Sequence, residues 1–484
     1  MSHTKETTDS TDTSIKTLQC SMTWDVSTQL QSLVRLPMET FSAKQLSAWY
    51  PEFEHVHKGQ LFRVFVGAKG VYTLAHFACL SVIPLAYLGS GSNADVFAVI
   101  RDDTDTRKHL RTCTLNVETV LASGAIFALK ISTWAHPQSK PRVQSAYDLR
   151  FTRLEREELC LKYIGERFCR AVPRLLTLHN VNADAYPHLH FVRCFGMELF
   201  TDGDLLTWIQ YVRPCLDKVA YICLCASFFY QLSSILSSIH SCGYAHGDIK
   251  LENILVNTFQ SDRTDISGCT IPTSSVGDLY PRLALGDFDA CAILSPKNAY
   301  GLANKSEEER NKLLCQMQRA QSHTIPAEIE KAAFSGTPDD WAPEIAAFRG
   351  WAPRTRATDL WSLGVAIWTL LNDGHPFYHN GIAEDKRQVK QHILNCDLYV
   401  SPNSLLRSKE AKPLLSVMRQ IFVQDPLSRP RVSDVLDNRR IRVLAYQAKE
   451  RCMKTIQNWE GSGKCSVSLI RSILNKLSRN KKDT

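Results

Sequence analysis

A short segment in the middle of the chain combines three side chains suited to moving a phosphoryl group. In YAHGDIKLENIL, residues 244–255, Asp248 can orient an acceptor hydroxyl, Lys250 can neutralise the group in transit, and Asn253 can bind a metal ion. The apolar residues around them predict a loop held against a core. The spacing HxDxKxxN is moderately specific alone, and it gains strength because its partners follow in order along the chain.

Three of these partners lie upstream, and the first two are a glycine turn and a lysine. The segment LGSGSNADV, residues 88–96, follows an apolar stretch and precedes Phe97–Ile100, which predicts a strand, a glycine turn and a second strand. Glycines there let backbone N–H groups approach phosphates, although a glycine pair more often makes only a hairpin. Lys130 ends the apolar strand FALK, where a charge is costly to bury unless it meets phosphates or a carboxylate.

A helical pattern across residues 151–168 supplies that carboxylate. Glu157 lies four residues before Leu161 and seven before Ile164, at the edge of an apolar stripe, so it can face inward. We expect Glu158 to face solvent, and Glu155 is the weaker rival for the same role.

Further motifs lie downstream. Asp287 follows an apolar strand in the segment LGDFD, which predicts a second metal-binding carboxylate. The remaining segments, in chain order, are GTP at 336–338, WAPE at 341–344, DLWSLG at 359–364 and DPLSRP at 425–430.

Together these segments resemble a eukaryotic protein kinase of the serine/threonine type, from about Ile83 to Arg442. The resemblance implies an α+β fold with two lobes, the smaller rich in β-strands and the larger mainly helical. It also implies ATP and Mg²⁺ as cofactors and proteins as substrates. The end of the large lobe resembles the calmodulin-dependent and cyclic-nucleotide-dependent groups.

The resemblance assigns a role to each matching residue. Lys130 would hold the α- and β-phosphates and pair with Glu157, Asp248 would be the catalytic aspartate, and Lys250 would contact the γ-phosphate. Asn253 and Asp287 would bind magnesium. The residues expected to line the nucleotide site are Leu88, Gly89, Ser90, Gly91, Ala94, Val96, Ala128, Lys130, Met197, Glu198, Phe200, Asp204 and Leu255. Glu344 would pair with Arg429, and Asp359 would anchor the catalytic loop.

Four features refine this assignment. Lys250 two residues after Asp248, with Thr337 downstream, favours serine/threonine acceptors. Gly247 replaces the family's arginine, so we expect activity that does not depend on phosphorylation of the activation segment. Asp289 replaces the glycine of the metal-binding triplet, which removes conformational freedom and favours an inactive flip. Ala94 replaces the third glycine of the loop.

Substrate preference is a further expectation. Glu252 matches a position where basophilic kinases meet a substrate arginine, and Asp204 could add to the same negative field. The alternative, equally weighted, is that Glu252 is buried in local hydrogen bonds.

Composition narrows the class of protein. The chain has 484 residues, 44% of them apolar, and sixteen scattered cysteines without a CxxC pair. Because no secretory signal is apparent, we expect reduced thiols in an intracellular protein of the cytoplasm or nucleus, and no zinc site. The apolar run at 221–239 has membrane-spanning length, but its serines and Gln231 favour a buried helix.

The net charge of +8 is concentrated at the C-terminus. Residues 439–484 carry twelve Lys and Arg against three acids, whereas the rest of the chain is nearly balanced. A solvated face explains most such tails, and the sharper interpretation is an acidic partner or an anionic membrane surface. A helical face formed by Val467, Ile470, Leu474 and Leu477 fits packing on the large lobe equally well. We expect no specific nucleic-acid partner and no transmembrane segment.

The sequence predicts the following domain organisation. Residues 1–20 form a disordered N-terminus, 21–82 an extension that packs on the small lobe, 83–442 the kinase domain and 443–484 a basic tail. Within the kinase domain, 83–200 are the small lobe and hinge and 201–442 the large lobe. Long insertions are expected after Val96, after Asn253 and in the activation segment, whose charged stretch KSEEERNKLLCQMQRA predicts an extra helix.

Two other functions compete with a protein kinase. HGD in place of HRD occurs in small-molecule phosphotransferases, but these generally lack the downstream motifs that are complete here. A pseudokinase or scaffold would use the fold without turnover. The presence of Lys130, Asp248, Asn253 and Asp287 argues against that interpretation.

Overall fold

The computed structural model describes residues 36–47, 60–91, 94–101, 126–133, 144–168, 170–176, 192–258, 279–294, 337–347, 354–379 and 385–461. The fold is a two-lobed α+β structure of this part of the chain, as the sequence predicted. The long insertions, the charged helix of the activation segment and the apolar face of the tail at 467–477 lie outside the described residues.

The small lobe is built on a five-stranded antiparallel sheet with the order β4-β5-β6-β8-β7. Its strands are β4 (Val82–Ser90), β5 (Asp95–Arg101), β6 (Ile126–Thr133), β7 (Leu175–Leu176) and β8 (Val192–Met197). Strands β4 and β5 form the glycine hairpin, in which Gly89 pairs with Val96. Because side chains alternate across a strand, Lys130 on β6 and Phe127, Leu129 and Ile131 face opposite sides of the sheet.

The residues before this sheet form a second, smaller sheet. Its strands β1 (Glu39–Ser42), β2 (Leu61–Val66) and β3 (Val71–Thr73) pair in that order, and they are accompanied by α1 (Ala43–Leu46) and α2 (Leu74–Cys79). The hairpin between β2 and β3 closes where Gly67 N–H donates to the Gly70 carbonyl at 2.8 Å. From here on, "the extension" means residues 60–80, the part of the predicted 21–82 segment that carries β2, β3 and α2.

The helices of the two lobes have the following bounds. Helix α3 (Gln144–Arg167) belongs to the small lobe. The large lobe contains α4 (Leu205–Val212), α5 (Lys218–Ser241), α6 (Pro343–Ala347), α7 (Arg356–Asn372), α8 (Lys386–Asn395), α9 (Lys412–Ile421), α10 (Val432–Asp437) and α11 (Arg439–Gly461). Helix α11 continues without a break across the expected domain boundary at 442.

Helix α5 is the centre of the large lobe. Asp217 caps it by accepting hydrogen bonds from Val219 N–H and Ala220 N–H, each at 2.8 Å. Among the described residues it is the one helix long and apolar enough to cross a membrane, and 89% of its most apolar window is buried in the fold. It is therefore a core helix, packed against α7, α10 and α11.

Short strands at the base of the cleft carry residues 246–253, which we call the catalytic segment after the role predicted for it. Strand β9 (Tyr244–Ala245) pairs with β12 (Ala292–Ile293), and β10 (Ile254–Asn257) pairs with β11 (Arg282–Leu285). These two pairs flank residues 246–253 and 286–291, so the segment HGDIKLEN and the segment GDFDAC are held side by side.

Candidate active site

Lys130 lies between two carboxylates at the back of the cleft. Its Nζ is 2.6 Å from Glu157 Oε2 and 2.7 Å from Asp287 Oδ1. Strand β6 positions the lysine, helix α3 the glutamate, and the turn after β11 the aspartate. The structure thus brings together three predicted site residues from distant parts of the sequence. Glu155, the rival to Glu157, is exposed on the same helix.

The charges in this cluster depend on one another. Burial acts to lower the pKa of Lys130, but the charges of Asp287 and Glu157 outweigh it and raise that pKa. Burial would raise the pKa of Asp287, and attraction to Lys130 reverses the shift, so that this carboxyl stays ionised. Burial raises the pKa of Glu157. The charge of Lys130 acts to lower this pKa, and the charge of Asp287 raises it further. Lys130 is therefore a permanent cation shared by two acids.

The backbone of the catalytic segment is fixed by Asp359 of α7. Its carboxylate accepts hydrogen bonds from His246 N–H at 2.8 Å and Gly247 N–H at 2.9 Å, and it lies 2.9 Å from His240 Nε2. Helix α7 begins with a capping box at Thr355, which sets the first turn that carries Asp359. Because Asp359 is buried, these donors satisfy a charge that would otherwise be costly.

Asp248 is the centre of a network of side chains that face the cleft. Its Oδ1 accepts a hydrogen bond from Thr337 N–H at 3.0 Å, and its Oδ2 lies 3.2 Å from Lys250 Nζ and 3.0 Å from Asn253 Nδ2. Lys250 Nζ also donates to the Thr337 hydroxyl at 3.2 Å. One carboxylate therefore has an adjacent cation, a hydroxyl and an amide within hydrogen-bonding distance.

The donor set suits magnesium. Asp287 supplies a carboxylate and Asn253 an amide oxygen, both hard oxygen ligands of the kind that Mg²⁺ takes beside substrate phosphates. Asn253 Nδ2 is used in hydrogen bonds to the Asp248 carbonyl and carboxylate, so its oxygen is the atom suited to a metal. The chemistry of these side chains therefore fits the predicted metal role.

The glycine hairpin lies over this cluster. A Cβ built on Gly91 would be 3.8 Å from both Asp287 Oδ1 and Lys130 Nζ, so the loop covers the acids and the lysine at van der Waals distance. Gly91 N–H donates to the Ala94 carbonyl at 2.9 Å, which closes the turn. Gly89 has a φ of +146°, a conformation that favours glycine.

The other predicted nucleotide residues line the same cleft at different depths. Ala128 is buried on β6, Val96 and Leu255 are half-buried, and Leu88 and Ser90 are exposed at the hairpin. Leu255 on β10 approaches Gly286, where a Cβ would meet its Cδ1 at 3.2 Å. The absence of a side chain at Gly286 therefore admits Leu255, and Ala128 is the small buried residue that the resemblance places beside the base.

An arginine binds the hinge, residues 197–200, from behind, and the sequence did not identify this contact. Arg282 of β11 makes two hydrogen bonds to the Glu198 carboxylate, at 2.6 and 3.2 Å, and its guanidinium lies 5.0 Å above the Phe200 ring. Because Arg282 binds both oxygens of the Glu198 carboxylate, Glu198 can contribute to a nucleotide site only through its backbone. Met197 ends β8 and pairs with Ala128.

Asp204 has a structural role that the resemblance did not include. Its carboxylate accepts hydrogen bonds from Thr207 N–H at 2.8 Å and the Thr207 hydroxyl at 3.0 Å, and so caps α4. This cap fixes Asp204 beside Leu255, with which it forms an isolated β-bridge. Ser, Thr, Asp or Asn before an apolar helix is the sequence signal that identifies such a cap.

The third residue of the DFD triplet is accommodated without a glycine. Asp289 lies in a 3-10 turn, Phe288–Ala290, and is not among the described residues with positive φ, so a Cβ is tolerated. Its carboxylate is buried and lies 3.9 Å from Arg153 Nη1 on α3. The preceding Asp287 is the residue with φ of +60°, and Phe288 packs on His246 with centroids 4.6 Å apart. Asp287 faces Lys130 in this arrangement, which differs from the inactive flip that the sequence favoured.

Gly247 packs directly against this turn. It has a φ of +83°, and a Cβ there would lie 2.5 Å from the Ala290 carbonyl oxygen. No signal in the sequence identified this contact, because Gly247 and Ala290 are more than forty residues apart.

A second group of metal-ligand residues lies outside the cleft. Ligand atoms of His379, His392 and Asp397 lie within 4.8 Å of one another. The two imidazole rings stack, with centroids 3.8 Å apart and an angle of 18°. Nitrogen lone pairs in stacked rings run parallel and do not converge on one ion, so we interpret this group as hydrogen-bonded side chains rather than a metal centre.

The comparison with a protein family agrees with this geometry. Residues 172–440 match the protein kinase domain, which is more than half of the 484-residue chain. The match includes the catalytic segment and the DFD triplet. The glycine hairpin, Lys130 and Glu157 precede it, so their assignment depends on the structure.

Individual relatives are distant and share only part of their length with this chain. Similarity to serine/threonine-protein kinase SRK2D of Arabidopsis thaliana is 26% identity over 59% of this chain and 65% of the relative. For serine/threonine-protein kinase ULK3 of Homo sapiens it is 24% over 57% of this chain and 47% of the relative. For the ovarian-specific serine/threonine-protein kinase Lok of Drosophila melanogaster it is 24% over 53% of this chain and 42% of the relative. The chain thus covers less than two thirds of each.

The two lobes, the paired Lys130 and the family match over residues 172–440 lead to one conclusion: this chain belongs to the eukaryotic protein kinase family, among the serine/threonine kinases.

Proposed function

We propose that the chain is an active kinase that transfers the γ-phosphoryl group of Mg·ATP to serine and threonine hydroxyls of proteins. The observation that carries this proposal is the assembled site: Lys130 paired to Glu157 at 2.6 Å in the same structure in which Asp248 and Lys250 lie 3.2 Å apart. A chain that only bound partners would have no need to keep both arrangements intact.

Each side chain has a defined task in this reaction. Asn253 and Asp287 would hold magnesium, which would offset the negative charge of the phosphates. Lys130 holds phosphate oxygens in place, and Glu157 orients Lys130. Asp248 accepts a hydrogen bond from the acceptor hydroxyl and orients it in line with the phosphorus. It takes the hydroxyl proton as the new O–P bond forms and the bond between the γ-phosphorus and ADP breaks, so that ADP leaves. Lys250 stabilises the negative charge on the transferred group.

The geometry around Thr337 supports serine and threonine as acceptors. Thr337 binds both the Asp248 carboxylate and Lys250, so it fills the space beside the aspartate. A short aliphatic hydroxyl can reach Asp248 there, whereas a tyrosine ring must approach from farther away. The three relatives named above are serine/threonine kinases by name, which supports the same assignment.

The experiment compares purified protein with two substituted forms on a mixed peptide library with Mg·ATP. We expect phosphate on Ser and Thr with wild-type protein, and a loss on the order of 10²–10⁴ in rate with Asp248→Asn. Glu157→Gln should also lose most activity, while Glu155→Gln, an exposed residue on the same helix, should not. Mass spectrometry of the products identifies the acceptor residue.

Two outcomes separate the competing functions. ATP binding without phosphate incorporation in any variant would support a pseudokinase and contradict the proposal. Phosphate transfer to small alcohols or amines, without peptide phosphorylation, would indicate a small-molecule phosphotransferase.

We further propose that substrates carry a basic residue N-terminal to the acceptor. Glu252 is exposed next to Asn253, which supports a substrate contact over the alternative of a buried structural residue. An exposed carboxylate there can form a charge-assisted hydrogen bond with arginine. A peptide array that shows no preference for Arg or Lys, or the same preference in Glu252→Gln, would contradict this.

The remaining expectations stay predictions. An intracellular location is supported by the nine cysteines whose side chains the structure describes, all of them free thiols. The proposed acidic or anionic partner of the basic tail depends on residues that lie mostly outside the described part of the chain.

A further inference from the structure

A buried carboxylate connects the glycine hairpin to the extension. Asp95 is the first residue of β5, directly before Val96, and it is fully buried. Val96 faces the cleft, so by the alternation of strand side chains Asp95 faces the opposite side of the sheet. A carboxylate in that position would be costly to bury unless several donors surround it.

Three donors supply this need, and two of them belong to the extension. Lys69 N–H donates to Asp95 Oδ2 at 2.9 Å, and the Tyr72 hydroxyl donates to the same oxygen at 2.8 Å. The Tyr87 hydroxyl, from β4, donates to Oδ1 at 3.0 Å. Tyr87 lies two residues before Gly89, so one carboxylate connects both arms of the hairpin and the extension.

The close approach of the extension has a steric requirement. A Cβ built on Gly67 would lie 2.4 Å from Asp95 Oδ2, so only glycine at this position lets the β2–β3 turn reach the carboxylate. The turn delivers Lys69 N–H and Tyr72 to Asp95 as a result.

Aromatic packing holds the extension on this face of the sheet. The Phe97 ring on β5 contacts the rings of Phe65, Tyr72 and Phe77 from the extension, with centroids 5.1–5.4 Å apart and near-perpendicular planes. These rings belong to a buried cluster that also includes Phe127, Leu129 and Ile131 of β6. Edge-to-face aromatic contacts of this kind add to the stabilisation from burial.

The described part of the hairpin tip carries Gly89 and Gly91, which have no side chains with which to hold it. Gly89 has open space around its Cβ position, and Gly91 lies over Lys130 and Asp287 at van der Waals distance. The position of the tip therefore depends on how firmly its two arms are fixed. The hydrogen bonds that Asp95 accepts from Lys69, Tyr72 and Tyr87 join both arms to the extension on the face away from the cleft.

We propose that the extension, residues 60–80, is a built-in clamp that holds the glycine hairpin over the nucleotide, with Asp95 as the positioning residue through which it acts. This inference rests on the proposed function in one respect, that the hairpin covers ATP. The clamp strengthens nucleotide binding because it fixes the hairpin before the ligand arrives, so less conformational freedom is lost on binding.

The test uses the full-length protein with two substitutions that remove hydrogen bonds and keep shape. Tyr72→Phe deletes one hydroxyl, and Asp95→Asn replaces the charged acceptor. Tyr211→Phe is the matched control, because Tyr211 is an exposed tyrosine of α4 in the large lobe. The measurements are the Kd for Mg·ATP by calorimetry, steady-state KM and kcat, and hydrogen exchange of amides 88–96.

We expect the Kd and KM for ATP to rise about threefold in Tyr72→Phe and about tenfold in Asp95→Asn, because each loses part of a charge-assisted hydrogen bond. The kcat at saturating ATP should stay within about twofold, since the clamp acts on binding rather than on the transfer step. Exchange of amides 88–96 should accelerate in both variants. Tyr211→Phe should match wild type in all three measurements.

Two results would overturn the clamp. One is unchanged exchange at 88–96 in Tyr72→Phe, which isolates the hydroxyl even if Asp95→Asn does not fold. The other is faster exchange with an unchanged Kd for ATP, which would leave the extension a purely structural cover. If wild-type protein binds no nucleotide at all, the proposed function fails, and the exchange of amides 88–96 still decides whether the extension holds the hairpin.

Discussion

Replacing Gly247 with alanine should destabilise the protein more than the same replacement at Gly203, although both glycines have positive φ. Gly247 has a φ of +83° and Gly203 a φ of +77°. An L-residue in this region costs about 1–2 kcal/mol, and that cost is common to both positions. The environments differ: no atom lies within 4 Å of a Cβ at Gly203, whereas a Cβ at Gly247 would lie 2.5 Å from the Ala290 carbonyl oxygen.

The additional cost at Gly247 is one of overpacking. The Ala290 carbonyl must retreat by roughly 0.5–1 Å to reach an ordinary contact distance. Forced shifts of this kind in a packed region cost about 1–3 kcal/mol. We therefore expect a loss of about 1–2 kcal/mol for Gly203→Ala and about 2–5 kcal/mol for Gly247→Ala in the free energy of unfolding.

The shift also has a catalytic consequence, because Ala290 ends the turn that begins after Asp287. A displacement near 1 Å of groups around the reacting centre can reduce turnover on the order of 10²-fold. Urea unfolding of the three proteins, with peptide phosphorylation measured in parallel, tests both effects. Equal stability losses for the two variants, or full turnover in Gly247→Ala, would refute the argument from the Ala290 contact.

Three other outcomes follow from the charges of the structure. Lys130→Met should abolish productive ATP use. It should also lower the free energy of unfolding by about 3–5 kcal/mol at pH 8, because the Glu157 and Asp287 carboxylates lose their shared cation. The loss should be smaller at pH 6, where these carboxylates can take up protons, and equal losses at both pH values would contradict this. Burial lowers the pKa of His76 from 6.5 to about 4, so the unfolded chain binds the proton first as the pH falls. The free energy of unfolding should therefore decrease by up to about 3 kcal/mol between pH 6.5 and pH 4. Urea titrations at each pH measure this dependence, and His76→Asn should flatten it. Phosphatase-treated protein should keep most of its activity, because Gly247 offers no cation for a phosphorylated activation segment, and complete loss would count against this.

Local patterns were sufficient to predict which side chains meet in the cleft. The segment HGDIKLEN carries its chemistry within eight residues, and the apolar spacing after Glu157 identified the inward-facing acid of α3. The hairpin of β4 and β5 followed from its glycines and the apolar strands around them. In each case the relevant physics acts over one turn of helix or one hairpin, which is the range that a sequence pattern covers.

Side-chain partners across the fold were not predictable in the same way. Asp95 follows Ser-Asn-Ala, a composition typical of an exposed turn, and only the approach of Lys69 and Tyr72 from a separate sheet shows that it is buried. Arg282 likewise has no local feature that points to Glu198, which lies 84 residues earlier. Such pairs depend on tertiary packing, which a single sequence does not encode in its periodicity.

The two departures from the family pattern near Asp287, at residues 247 and 289, form one arrangement. Gly247 admits the Ala290 carbonyl, and the turn that this contact permits places the Asp289 carboxylate inward, 3.9 Å from Arg153 of α3. Helix α3 also carries Glu157, the partner of Lys130. Asp359 fixes the other side of Gly247 through its backbone N–H. The turn is thus connected both to the helix that orients Lys130 and to the helix that anchors Asp248. An arginine at 247 would have to displace this turn, so glycine at 247 and a buried aspartate at 289 suit one another, and we expect that restoring either family residue alone disturbs the site more than it helps.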